Sequence, residues 1–171
     1  MRVKVEYAAF VGAMTAKAKK DDRYYFEGVF IDPRGYLVAT DGHRLFCATL
    51  AEGAGPYIIQ VVGKAPTKFH HAVFDTDDLC VRFFREDESP LGNIPISLID
   101  ARYPDWKRAV EGFAVKAVEE IGVDLTFIAD AAKVAKAYGK PYGRFQFHGA
   151  SHAMKIHFTE SAWMSVMPCR I

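Results

Sequence analysis

An α+β fold, with two helices packed on curved antiparallel sheets, is predicted by three features of this 171-residue sequence. The order strand, helix, three strands occurs twice, once near each end. Each occurrence holds one Ala- and Lys-rich stretch with opposed apolar and basic faces, the pattern of a helix lying on a sheet. The stretch between them is dense in short β-branched and aromatic runs and contains no convincing helix.

In the first unit, residues 1–55, Val3 and Val5 alternate with charged residues as a short strand. Ala8 to Lys20 is rich in Ala, Met and Lys, all good helix formers, with Gly12 a weak spot. Tyr24 to Ile31 is aromatic and β-branched, reads as a strand, and stops at the turn sequence Asp32-Pro33-Arg34-Gly35. Tyr36 to Ala39 and Leu45 to Leu50 read as two more strands around the polar break Thr40-Asp41-Gly42-His43-Arg44.

Residues 56–112 read as a strand-rich insertion, with strands at Ile58–Val62, Ala72–Phe74, Leu79–Phe84 and Ile94–Ile99. Pro66 argues against a helix in the first connection. Residues 113–171 repeat the first unit. Val118 to Val123 reads as a strand, and Asp124 is a plausible N-cap for a helix from Leu125 to about Tyr138. Gly139 and Pro141 end that helix. Arg144–His148, Met154–Phe158 and Trp163–Met167 follow as strands. No linker or low-complexity tract interrupts the chain, so residues 1–171 read as a single domain.

Composition excludes several classes of function. Twenty-two Lys and Arg against twenty-one Asp and Glu leave a net charge of +1. Nucleic acid can then be met only by locally segregated charge. Such segregation is present: Lys133, Lys136 and Lys140 fall on one stripe of the second helix, opposite Phe127, Ala131, Val134 and Tyr138. Lys17 and Lys20 share a face of the first helix, while acidic residues gather in the insertion. Solvated helix faces and two surfaces laid along a phosphate backbone both fit these stripes. Apolar runs fall far short of the roughly 20 residues that span a membrane, and no signal peptide opens the chain. Cys47, Cys80 and Cys169 are odd in number and widely spaced, as expected of free thiols in a reducing cytoplasm. No zinc-type spacing, phosphate loop, dinucleotide fingerprint or nucleophile elbow occurs, so neither a metal, a cofactor nor an enzymatic activity is expected.

Three segments carry a family resemblance. Arg23-Tyr24-Tyr25-Phe26-Glu27-Gly28-Val29, followed by Leu37-Val38-Ala39-Thr40-Asp41-Gly42-His43-Arg44-Leu45, resembles the middle lobe of the bacterial β sliding clamp, the processivity subunit of the replicative DNA polymerase. Arg102-Tyr103-Pro104-Asp105-Trp106-Lys107-Arg108 is similar to the segment that closes that lobe. The ending Val166-Met167-Pro168-Cys169-Arg170-Ile171 is similar to the tail of clamp subunits, and Glu120–Leu125 with its helix resembles their last half-lobe. The chain thus resembles a shortened clamp, lacking counterparts of the first lobe and of the first half of the third.

The resemblance implies a DNA-clamp fold of βαβββ repeats and two partners. One is the short linear peptide by which polymerases and repair proteins dock into a hydrophobic cleft between lobes. Carried over by motif, Arg23 and Phe26 flank that cleft, and Thr40, Gly42, His43, Arg44 and Leu45 form its base. Pro104 and Arg108 lie beside it, and Val166, Met167, Pro168, Cys169 and Arg170 close it. Ala109 stands where a larger aliphatic residue is usual, and Cys169 where Met is usual. The other partner is duplex DNA, met without sequence specificity by Lys17, Lys20, Lys133, Lys136 and Lys140. Tyr24 and Tyr25 match positions near DNA but equally suit a buried pair. Self-association into a homo-oligomer is an open option, because one lobe alone encircles nothing. Two functions follow: a clamp-like replication factor, or a clamp-mimicking decoy of a phage or mobile element that only sequesters clamp-binding peptides.

Overall fold

The computed structural model describes residues 1–170; Ile171, the last residue of the tail motif, lies outside them. After β1 (Arg2–Glu6) the chain enters α1 (Tyr7–Ala16). A single 3-10 turn at Tyr24–Glu27 leads into β2 (Val29–Asp32), β3 (Tyr36–Thr40) and β4 (Arg44–Thr49). Four strands follow: β5 (Tyr57–Val61), β6 (His71–Asp75), β7 (Cys80–Phe84) and β8 (Pro90–Leu98). The remainder is α2 (Trp106–Val110), α3 (Leu125–Ala137), β9 (Arg144–Gln146), β10 (Met154–Thr159) and β11 (Ala162–Val166).

All eleven strands form one antiparallel sheet in the order β1-β6-β7-β8-β5-β2-β3-β4-β11-β10-β9. The fold is therefore α+β, as the repeated element order predicts. The two units meet where β4 pairs with β11, Leu45 opposite Ser165 and Arg44 opposite Val166. Strands β2, β3 and β4 are nearly continuous apolar runs because both of their faces are covered. On one face α1 and α3 lie side by side over a layer that includes Leu37, Phe46, Val134 and Met164. On the other, Phe26, Phe30, Val38, Leu45, Tyr103 and Trp106 form a second, smaller apolar layer. At about 1.5–3 kcal/mol for each large side chain fully buried, the first layer dominates stability and the second positions the site.

Four local expectations fail, each for a tertiary reason. The first helix stops at Ala16 and not at Lys20, because Lys17 turns to extended backbone (φ −64°, ψ 152°) and Ala18 is drawn into the second layer. There its N–H donates to the Phe26 carbonyl at 2.9 Å. Tyr24–Glu27 coils instead of extending, which sinks Phe26 against Tyr103, and the strand begins only at Val29. Residues 118–123 form no strand; the stretch makes an isolated bridge from Gly122 to Cys169 in the tail, and Val123 packs against the first layer. Finally, residues 56–112 do contain a helix. Trp106 and Val110 are four residues apart and both buried on one side of the five-residue α2, too short for periodicity to reveal.

Candidate functional site: an apolar cleft at the junction of the two units

A cleft of about 250 Å³ opens on the second apolar layer, where most of the turn and wall residues expected from sequence come together. Its base is the turn between β3 and β4, whose polar residues fold back on their own backbone. The Thr40 hydroxyl donates to the Arg44 carbonyl at 2.6 Å and accepts from the Gly42 N–H at 3.0 Å. Asp41 Oδ1 accepts from the N–H groups of His43 and Arg44 at 2.9 and 3.0 Å. These are the local bonds that make Thr and Asp turn formers. Gly42 sits at φ +90°, and a Cβ there would lie 2.8 Å from the Arg23 guanidinium. The positive φ favours glycine there, and a side chain would also have to displace the Arg23 guanidinium.

The walls come from three distant stretches of chain. Arg23 stands over the Phe26 ring at 4.6 Å, its guanidinium held by Asp21 at 2.8 Å. Opposite, α2 is anchored by Trp106, whose indole N–H donates to Asp32 Oδ2 at 2.8 Å. Burial works against the charge on Asp32, but Arg34 and the Trp106 N–H outweigh it and hold the carboxyl at about 2. That anchored helix presents Ala109 and Val110 to the cleft. The tail closes the third side, with the Met167 N–H donating to the His43 carbonyl at 2.8 Å and Met167 itself 44% exposed.

Arg44 ties the base to α3. Its Nε bonds Asp41 Oδ2 at 3.1 Å, and its Nη1 bonds Asp130 Oδ2 at 2.5 Å. The guanidinium also lies over the Phe127 ring at 4.9 Å, while the His43 ring stacks on Phe127 from the cleft side. Asp130 is partly buried, which raises its pKa, but Lys133 and Arg44 bring it below the ordinary carboxylate value.

Of the residues expected at a cleft, Arg23, Phe26, Thr40, Gly42, His43, Arg44, Leu45, Pro104 and Met167 line this one. Arg108, Val166, Pro168, Cys169 and Arg170 do not. Val166 is fully buried in the first layer, paired with Arg44, and Arg108 is exposed elsewhere on α2. Cys169 is turned to a different neighbour, its N–H donating to the Gly122 carbonyl at 2.9 Å. The walls also contain Tyr103, Asp105, Trp106, Val110, Ala153 and Ser165, which sequence reasoning did not assign to the cleft. Tyr103, Asp105 and Trp106 belong to the segment Arg102–Arg108, whose resemblance to the lobe-closing segment is the signal that marks them. Ser165 and Ala153 carry no local signal and arrive only through the pairing of β11 with β4 and the approach to β10.

The lysines divide. Lys133, Lys136 and Lys140 are exposed on α3 and just beyond its end, with Lys133 bonded to Asp130 at 2.6 Å. Lys17 and Lys20 lie past the end of α1 and not on its face. The Lys17 ammonium donates to the Ala18 carbonyl at 3.1 Å, and burial lowers its pKa. Tyr24 is 55% exposed, whereas Tyr25 is half-buried, edge-on to Phe26. Among the described residues no helix is long and apolar enough to cross a membrane, and no three His, Cys, Asp or Glu side chains gather as a metal site.

No family model and no curated protein matches the sequence. Solved structures match throughout. The DNA polymerase III subunit beta of Pseudomonas aeruginosa aligns with all of this chain and 67% of its own, at TM-score 0.63 and 15% identity. A Helicobacter pylori beta clamp bound to a DNA ligase peptide aligns at TM-score 0.68 and 13% identity, covering 99% of this chain and 66% of that one. The DNA polymerase sliding clamp of Bacillus subtilis gives 0.64 and 14%, covering 100% and 64%. The chain therefore has the sliding-clamp fold in shortened form, spanning about two thirds of the length of these clamps.

Proposed function

We propose that this protein is a clamp-like replication factor that docks linear peptides of polymerase or repair proteins in the cleft and contacts duplex DNA non-specifically through α3. It acts by binding and not by chemistry. The observation that carries the reading is the convergence of three segments, far apart in sequence, on one concave apolar site with charged groups at its rim. At about 250 Å³ the cleft is slightly below the usual range of roughly 300–1,000 Å³ for ligand pockets. That is room for one or two apolar anchor side chains and not for a folded surface. Leu45, Val110 and Met167 would receive such anchors, and Arg23, His43 and Asp105 would orient the peptide backbone. Short peptides lose part of their gain to ordering, so a dissociation constant on the order of micromolar, near −8 kcal/mol, is expected.

The test is titration of a labelled peptide bearing adjacent Leu and Phe anchors into wild type and Leu45→Asp. Leu45 is 6% exposed and faces the cleft, so the carboxylate would sit against the anchor. Micromolar binding by wild type and none by the folded variant is expected; equal binding by both would remove the cleft from the account.

A decoy that only captures such peptides is the second reading, favoured by one observation. Helix α1 carries no lysine, since Lys17 and Lys20 follow its end. A single basic helix face offers a polyanion less than two would.

A further inference from the structure

The carboxylate of Asp130 is shared between two cations that belong to different surfaces. Arg44, only 11% exposed by side chain, is part of the cleft base and reaches Asp130 at 2.5 Å. Lys133, 70% exposed, reaches the other oxygen at 2.6 Å from the solvent side of α3. With Asp41 on Arg44 at 3.1 Å, four charges alternate in sign from the cleft to the helix face. Phe127, one turn before Asp130, packs against both His43 and Arg44. Helix α3 thus grips the turn that forms the cleft base, although helix and turn are 86 residues apart in sequence.

We propose that Asp130 is the positioning residue of the cleft and that its shared carboxylate couples peptide docking to polyanion binding on α3. The inference rests on the peptide-docking reading above and goes beyond it. The coupling has a defined sign. Lys133 and Arg44 compete for one negative charge, and charge-assisted bonds strengthen as competitors leave. A phosphate that draws Lys133 away leaves Asp130 to Arg44 alone, which fixes the Thr40–Arg44 turn in its docking conformation. Polyanion binding then raises peptide affinity, and by reciprocity a docked peptide raises polyanion affinity by the same factor. The two alternatives of Lys133, on Asp130 or on phosphate, supply the differential interaction that any such coupling requires.

The experiment titrates the Leu-Phe peptide into wild type, Asp130→Asn, Asp130→Glu and Lys133→Ala, with and without a short DNA duplex at low salt. Thermal melting of each variant checks folding. Wild type should bind peptide about threefold more tightly with duplex present. Lys133→Ala, a change at an exposed position, should bind about threefold more tightly without duplex and gain nothing further from it. Asp130→Asn should lose about tenfold in peptide affinity, with Asp130→Glu recovering part of it. A wild type that binds peptide equally with and without bound duplex, or a Lys133→Ala variant that behaves as wild type, overturns the coupling. Wild-type affinity in folded Asp130→Asn overturns the positioning role. Absence of any peptide binding by wild type instead fails the cleft reading itself, and this inference with it; Lys133 and Asp130 are then an ordinary surface pair.

Discussion

Gly12→Ala should destabilise the protein even though alanine is the better helix former. A Cβ at Gly12 would lie 2.3 Å from Cε2 and 2.4 Å from Cζ of Phe46. Phe46 is fully buried in β4, so its ring has no solvent to swing into. Relief therefore requires α1 to lift from the sheet or the core to repack. Helix propensity favours alanine by about 1 kcal/mol. Overpacking of a well-filled core costs about 1–3 kcal/mol and occasionally more, and contacts this short belong at the upper end. The expected net loss is about 2 kcal/mol, or roughly 4–8 °C in melting temperature for a chain of this size. Urea titration of both proteins, fitted for midpoint and slope, measures it. The double variant with Phe46→Leu should recover part of the loss, as expected for two side chains that share one space. A Gly12→Ala protein as stable as wild type, or more so, would refute the claim that this glycine exists for packing.

Asp32 gives a pH signature. Its carboxyl is at about 2 when folded, below its unfolded value, so its contribution of about 2 kcal/mol is complete above pH 4 and is lost as pH falls toward 2. Wild type should exceed Asp32→Asn by that amount at pH 7, with the gap narrowing below pH 4 and closing only as pH falls through 2; a gap independent of pH would show that burial and not charge pairing sets its role. Changing Lys133, Lys136 and Lys140 to Ala together should reduce the slope of log affinity for duplex against log salt by about 3 if each meets one phosphate. An unchanged slope would move any DNA contact off α3.

What the sequence made legible follows from where information is local. Asp124 caps α3 through its own side chain, accepting from the Thr126 N–H at 2.8 Å, and the polar break at Thr40–Arg44 folds on bonds within itself. Both could be read from neighbouring residues alone. Lys17 could not, because the helix ends where Ala18 finds an apolar layer built by residues up to 92 positions away, such as Val110. Tyr24–Glu27 has strand composition but coils to seat Phe26 against Tyr103, a partner from another segment. Gly12 looked like a weakness because its partner, Phe46, is on a strand three elements later. The cleft was legible in part for the same reason. Its motif residues carry local turn and helix chemistry, while Ser165 and Ala153 enter only through sheet register.

The sheet also bears on whether the protein encircles DNA. Eleven strands at about 4.8 Å span roughly 50 Å, and the two ends of that sheet are different strands, β1 and β9. Joining copies through these edges is head-to-tail, which gives a ring where the rotation closes and a filament where it does not. The edges are poorly matched for this. Outward from β1 stand Arg2, Lys4 and Glu6, the charged side chains that discourage strand addition. Around β9 stand Tyr142, Phe145 and Val115, 68%, 46% and 66% exposed, which have no apolar counterpart on β1. Arg2 and Lys4 are already paired, with Asp75 at 2.8 Å and Glu88 at 3.8 Å, and strand addition here would cover these ion pairs with aromatic rings that offer them no hydrogen bonds in return. The expected state at micromolar concentration without DNA is therefore a single chain, measured as solution mass by light scattering or sedimentation. Adding duplex then separates the two functions. A discrete multiple of the chain on DNA supports a clamp that assembles around its track, and a single chain at all concentrations, with or without duplex, leaves peptide capture as the function of the cleft. A stable oligomer in the absence of DNA would refute the edge argument itself and place attraction at β9 above the charge on β1.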